Sequence, residues 1–223
     1  MKASFDITVC TECSYDMDKG AVRDVIENGI PAFLDRMEAE GVSIDEVRAR
    51  VIGFGDYSSG TDAVKVGNFV HVVGGNEYFG TSGLVAELDA LPFIGGVGRC
   101  NALEALFEAY HLEPSSSVGG RRRHVILLFA ESEVLPLEAH RELYGYGGDA
   151  PDSLAGLSDW LTGCDPCREK PNSALAVLFI SDRGRNRELK EELAALPLTL
   201  VTAPESAREL QYIINYGVLF EDW

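Results

Sequence analysis

Three oxygen-bearing side chains stand at alternate positions in TECSYDM, residues 11–17: Glu12, Ser14 and Asp16. They follow directly on the apolar run FDITVC at 5–10, and a fourth, Glu131, follows the apolar run HVILLFA at 124–130. Carboxylates gathered in one crevice repel each other unless a cation joins them. Oxygen donors of this kind suit Mg²⁺, Ca²⁺ or Mn²⁺. For the four groups to meet, the two apolar runs must be neighbouring parallel strands whose carboxyl ends open on the same side.

The rest of the chain supplies such a frame. Residues 18–40 carry an apolar stripe (Val22, Val25, Ile26, Ile30, Phe33, Leu34, Met37) at helical spacing, with Pro31 inside it as an expected bend. Residues 48–57 and 66–73 read as strands, and 82–91 and 101–110 as short helices. HVILLFA is apolar throughout, as expected of a strand buried on both faces. Further on, 151–162 reads as helix, 173–181 as buried strand, 186–195 as helix, 198–202 as strand and 204–214 as a closing helix.

This alternation predicts an α/β fold, a three-layer α/β/α doubly wound Rossmann-like sheet that is mostly parallel. The second and third strands have no helix between them, so they form an antiparallel edge. Residues 1–223 read as a single domain, with HLEPSSSVGG (111–120) as an exposed loop rather than a linker. Sheets of this type bind ligands at the carboxyl ends of strands, where the winding reverses.

The net charge of −17 repels phosphate backbones and speaks against nucleic-acid binding, while favouring cations and basic partners. RRRH at 121–124 is the concentrated basic run and reads as a cap on the strand behind it. No run approaches 18 uninterrupted apolar residues, so no membrane association is expected. MKASFDITVC lacks the pattern of a targeting segment. Five cysteines, an odd number, do not suggest a secreted disulfide framework, and a reduced, cytoplasmic protein is expected.

Other constellations carry less. Cys10 with Cys13 and Cys164 with Cys167 are two CxxC pairs, a set that recurs in structural zinc sites. The sheet places them at opposite ends of strands roughly 17–20 Å long, too far for one zinc. The second pair sits in a loop, where a local disulfide is the competing reading. GGVGRCN has two glycines of a dinucleotide fingerprint but follows a helix rather than a strand. His71, His111, His124 and His140 share no spacing that suggests ligation, and Ser58 and Ser59 lack a nucleophile-elbow pattern.

Four segments together resemble a von Willebrand factor A-like domain of the bacterial intracellular type. TECSYDM stands at the family's Asp-x-Ser-x-Ser metal loop, and RVIGFGDY at its second strand. GGVGRCNALEALFEAY is similar to its Gly-Gly turn and following helix, and RRRHVILLFAESEVLPLE to the strand ending in Thr-Asp-Ala. The resemblance implies a degenerate metal-ion-dependent adhesion site. Glu12 replaces the first Asp, Ser14 is kept, Asp16 replaces the second Ser, Val97 stands at the Thr or Asp position, and Glu131 replaces the last Asp. One donor in five is unchanged and Val97 cannot ligate. A divalent cation held here would be a large, tolerant one; without a cation, Arg99 or a shared proton would relieve the repulsion. The implied function is a non-enzymatic module that binds a protein partner through the top of the sheet (12–17, 56–61, 95–100 and 131–136). The alternative is a divalent-cation-dependent hydrolase using the same acidic crevice.

Overall fold

Two buried strands lying side by side and parallel set the frame. In a computed structural model that describes residues 2–56, 64–75, 77–94, 98–111, 121–137, 149–162 and 174–203, the chain begins with β1 (Lys2–Glu12), α1 (Lys19–Asp24), a π-helical turn (Val25–Gly29) and α2 (Ile30–Ala39). It continues through β2 (Ser43–Phe54), β3 (Val64–Val66), β4 (Val70–Gly74), β5 (Glu77–Tyr78), α3 (Ser82–Asp89), β6 (Arg99–Cys100) and α4 (Ala102–Tyr110). Then come β7 (Arg121–Ala130), β8 (Glu133–Val134), α5 (Leu154–Thr162), β9 (Leu175–Ile180), α6 (Asn186–Ala194) and β10 (Thr199–Thr202). The expected helix at 204–214 lies outside the described residues.

The main sheet runs in the order β10-β9-β7-β1-β2-β4-β5, with β3 also paired to β2. β1 sits between β2 and β7 and is parallel to both. The expected neighbours, 5–10 and 124–130, are thus adjacent at the sheet centre. β3 and β4 run antiparallel to β2 and make the antiparallel edge. The 66–73 stretch divides into two strands at Gly67. Its N–H donates to the Val51 carbonyl at 2.8 Å, and a Cβ there would stand 2.6 Å from that oxygen.

Strand alternation feeds two cores, one on each face. Phe5, Ile7, Val9, Val125, Leu127, Phe129, Val177 and Phe179 meet α1, α2 and α3 through Val22, Phe33, Met37, Leu84 and Leu88. On the other face, Cys10, Ile126, Leu128, Leu178 and Ile180 meet α4, α5 and α6 through Leu103, Phe107, Leu157 and Leu193. The layers are therefore helix, sheet, helix.

The bend expected at Pro31 is absorbed one turn earlier. Pro31 has no N–H and its ring crowds the carbonyl four residues back. The helix widens to π geometry over Val25–Gly29, with the Ile30 N–H reaching the Val25 carbonyl.

RRRH does not cap β7 but belongs to it, since the strand begins at Arg121. Arg122 pairs with Asp6 at 2.5 Å and also with Glu46, while Arg48 holds the same Asp6 oxygen at 2.8 Å. The buried Arg50 donates to the carbonyls of Glu108, Ala109 and His111 at the end of α4. A positive charge there complements the helix dipole.

Candidate functional site

The end of β1 decides what TECSYDM does. Glu12 is the strand's last residue and is 1% exposed. Its Oε2 accepts the main-chain N–H groups of Glu131 at 2.8 Å and Ser132 at 2.9 Å, and its Oε1 accepts the Ser132 hydroxyl at 2.5 Å. Neighbouring strands stand about 4.8 Å apart. A glutamate, one methylene longer than an aspartate, spans that gap and reaches the main chain beyond β7. The Cys100 thiol lies against the same carboxylate, and burial together with the negative charges of Glu12 and Glu104 holds its pKa well above the ordinary thiol range.

The loop that Glu12 grips is held from its other side by the β9–α6 connection. Ser181 donates its hydroxyl to the Glu131 carbonyl at 2.7 Å. Asn186, fully buried at the start of α6, donates to the carbonyls of Ser132 (2.9 Å) and Ser181 (3.1 Å) and accepts the Val134 N–H at 2.8 Å. The short parallel pair β6–β8 completes the frame, with Glu133 N–H on the Gly98 carbonyl and Leu135 N–H on that of Cys100, both at 2.9 Å. Gly184 has φ +53°, and a Cβ there would meet the Glu133 carboxylate carbon at 2.7 Å. The positive φ favours glycine here, and any larger residue would also push the Glu133 carboxylate aside.

The other acidic residues of TECSYDMD take separate partners. Asp16 is half-exposed and pairs with Arg183 at 2.8 Å. Asp18 caps α1, accepting the N–H groups of Gly20 and Ala21. Ser14 is buried, and its hydroxyl has no hydrogen-bond partner. Arg99, the expected counter-charge for the loop carboxylates, instead faces the buried Asp56 at 3.7 Å. Tyr15 is 78% exposed at the loop tip. Val97 and residues 57–61 and 95–96 lie outside the described residues, as do Cys164 and Cys167.

Of the four expected donors, then, Glu12 meets the main chain of residue 131, while Asp16 turns to Arg183. Among the described residues, no three His, Cys, Asp or Glu side chains stand together as a metal cage. As arranged, the Glu12 carboxylate is committed to N–H and O–H donors, and the Ser14 hydroxyl stands without a hydrogen-bond partner. Sequence reading missed Ser132, Ser181 and Asn186. Their signal was weak, being small polar residues just past the ends of buried strands.

Nor do the described residues assemble an obvious nucleophile. Burial pushes the thiols of Cys10 and Cys13 up to about 12, so neither is a thiolate at neutral pH. Thr8 and His124 are hydrogen-bonded at 3.0 Å, but both are sealed in the sheet. Burial, and then the charge of Arg50, lowers the His124 pKa to about 3. Such a histidine stays neutral and is out of reach of a substrate.

No protein-family model matches the chain, and no curated protein matches it. Solved structures do. The pilus adhesin SpaC from Lactobacillus rhamnosus GG matches at 14% identity and TM-score 0.55, over 96% of this chain and 30% of the adhesin. The fold is von Willebrand factor A-like. A von Willebrand factor type A protein from Catenulispora acidiphila is similar at 13% identity and TM-score 0.49, over 95% of this chain and 42% of that one. Proximal thread matrix protein 1 from the mussel byssus, described with zinc in its MIDAS motif, is similar at 13% identity and TM-score 0.46, over 95% and 46%. At these identities the likeness is one of fold. The chain spans under half the length of each of these proteins, and in it Glu12 joins the end of β1 to the main chain just after β7.

Proposed function

We propose that this chain is a single-domain, non-enzymatic protein-interaction module of the reducing cytoplasm. It binds a partner protein through the top of the sheet, with weak or absent dependence on a divalent cation. The observation that carries this reading is the grip of Glu12 on the main chain of Glu131 and Ser132. It orders the top loops through bonds internal to the chain, so a preformed surface needs no ion to assemble it. On that surface Tyr15 stands exposed beside the Asp16–Arg183 pair, and tyrosine and arginine are the side chains that most often anchor interfaces. The described cysteines are free thiols, which suits a reducing compartment. No helix among the described residues is long and apolar enough to cross a membrane.

The test places a photo-crosslinking amino acid at Tyr15 and, as control, at the exposed Asp159 of α5, in cells that express the protein. A discrete protein adduct is expected from position 15 alone, and it should persist when lysates are irradiated in EDTA. Adducts of equal pattern from both positions would remove the top surface as the docking face. Loss of the adduct in EDTA would show that a cation is required.

A further inference from the structure

The opposite pole of the molecule carries a second concave surface. Pro31, Leu34, Asp35 and Glu38 of α2 follow the i, i+3, i+4, i+7 spacing of one helix face, and together with Ile44 of β2 and Tyr78 of β5 they wall a groove of about 500 Å³. Val73 and Ser43 complete the lining. Its floor is apolar, since Leu34 and Ile44 are 5% and 7% exposed. Its rim is different. Tyr78 is 59% exposed and the adjoining Phe79 52%, and among the described residues the charges in the walls are the two exposed carboxylates of Asp35 and Glu38. Nearby Arg36 is taken up by Glu40 at 2.5 Å.

An apolar floor, an exposed aromatic ring and carboxylates with no cation among the described lining residues match one kind of side chain. Lysine and arginine lay an alkyl stem on apolar surface while their charged head seeks anions, and that head is also attracted to an aromatic face. A second copy of this chain is a poor occupant, because the net charge of −17 makes two acidic surfaces repel. We propose that this groove docks a basic segment of a partner protein, with a lysine or arginine stem on Leu34 and Ile44 and its head between Asp35, Glu38 and the Tyr78 ring. The groove lies at the amino end of β2, away from the loops that Glu12 orders. The two surfaces can therefore be occupied together, and this proposal stands apart from the reading of the top of the sheet.

The experiment measures binding of a labelled alternating lysine–leucine peptide to the full chain by fluorescence anisotropy, with a glutamate–leucine peptide as counterpart. The double reversal Asp35→Lys/Glu38→Lys should weaken binding roughly tenfold. The reversal Asp159→Lys/Glu191→Lys, which changes net charge equally but lies on α5 and α6 across the sheet, should change it by less than about twofold. Tyr78→Ala, which leaves the charge alone, should weaken it about fivefold. On the unaltered protein, amide NMR shifts on adding peptide should concentrate at 31–38 and 77–79, a readout that needs no variant. Equal weakening by both reversals, an unchanged Tyr78→Ala, equal binding of the glutamate–leucine peptide, or shifts scattered away from the groove would each overturn the proposal.

Discussion

The carboxylate of Glu12 and residue Ser132 are joined twice, through the Ser132 amide at 2.9 Å and its hydroxyl at 2.5 Å. The two residues are 120 positions apart and close the gap between β1 and the loop after β7. Hydrogen bonds to a charged acceptor are roughly twice as strong as neutral ones. Here they act where water is excluded, which strengthens them further. Each N–H they satisfy would otherwise be a buried donor without a partner. The clamp thus holds the top of the sheet in one arrangement, and several consequences can be measured.

Glu12→Ala should destabilise the protein by about 3 kcal/mol, because it leaves the N–H groups of residues 131 and 132 buried and unpaired. Glu12→Asp falls a methylene short and should cost about 2 kcal/mol. Urea denaturation reads both. A Glu12→Ala variant as stable as the parent would mean that the loop is held without the carboxylate.

Thermal melts with Mg²⁺, Ca²⁺ and Mn²⁺ should move by less than about 1 °C at ~1 mM ion, since an ion that binds the native state must raise the melting temperature. A rise of several degrees at micromolar Mg²⁺, removed by Glu131→Gln, would mean that the loop rearranges into a cation site.

Asn186 links three groups at once, two carbonyls and one N–H. Asn186→Ala should cost about 3 kcal/mol. Asn186→Asp keeps the acceptor for Val134 but sets a carboxylate against two carbonyl oxygens, so it should be no better than alanine. In both variants the Val134 amide should exchange with solvent much faster. Unaltered protection of that amide would show that Asn186 is dispensable.

Two buried groups should pull stability in opposite directions with pH. Burial raises the Glu104 pKa from 4.5 to about 7, so its folded form holds a proton that the unfolded chain has lost. That contribution falls as pH rises through this window. Burial lowers the His124 pKa from 6.5 to about 3, so its contribution falls as pH drops from 6.5. Each is worth about 1.4 kcal/mol per pH unit, and between pH 4.5 and 6.5 they offset one another. Glu104→Gln should therefore make the protein lose stability on acidification across that range, and His124→Gln should make it gain. Denaturation curves at stepped pH decide; parallel curves for parent and Glu104→Gln would contradict the buried, protonated Glu104.

What the sequence determined by itself was what local periodicity encodes. HVILLFA and SALAVLFIS are apolar at nearly every position, as strands buried on both faces need, while FDITVC alternates apolar residues with Asp6 and Thr8. The stripe at 18–40 likewise states which helix face goes inward. From these alone the parallel centre and the antiparallel edge follow, because a missing helix leaves β2 and β4 no other way to pair. Pro31 announced a disturbance in its helix, though not that a π turn would absorb it. β5, β6 and β8 were illegible, since two residues carry no period. Nor could the chain reveal that Glu104, in the middle of ALEALFEAY, points into the molecule.

Only the tertiary structure decided the partners of the charged residues. Glu12, Asp16, Asp18 and Arg99 each had several opposite or polar groups within reach of a flexible side chain. Which one each took depended on the register of strands more than a hundred residues apart. Glu12 found Ser132 because β1 and β7 end level, with Thr11 opposite Phe129. Asn186 met the same loop because β9 lies on the far side of β7. Electrostatic and hydrogen-bonding partners are chosen by distance in space, and distance in space is the one quantity that a reading along the chain does not contain.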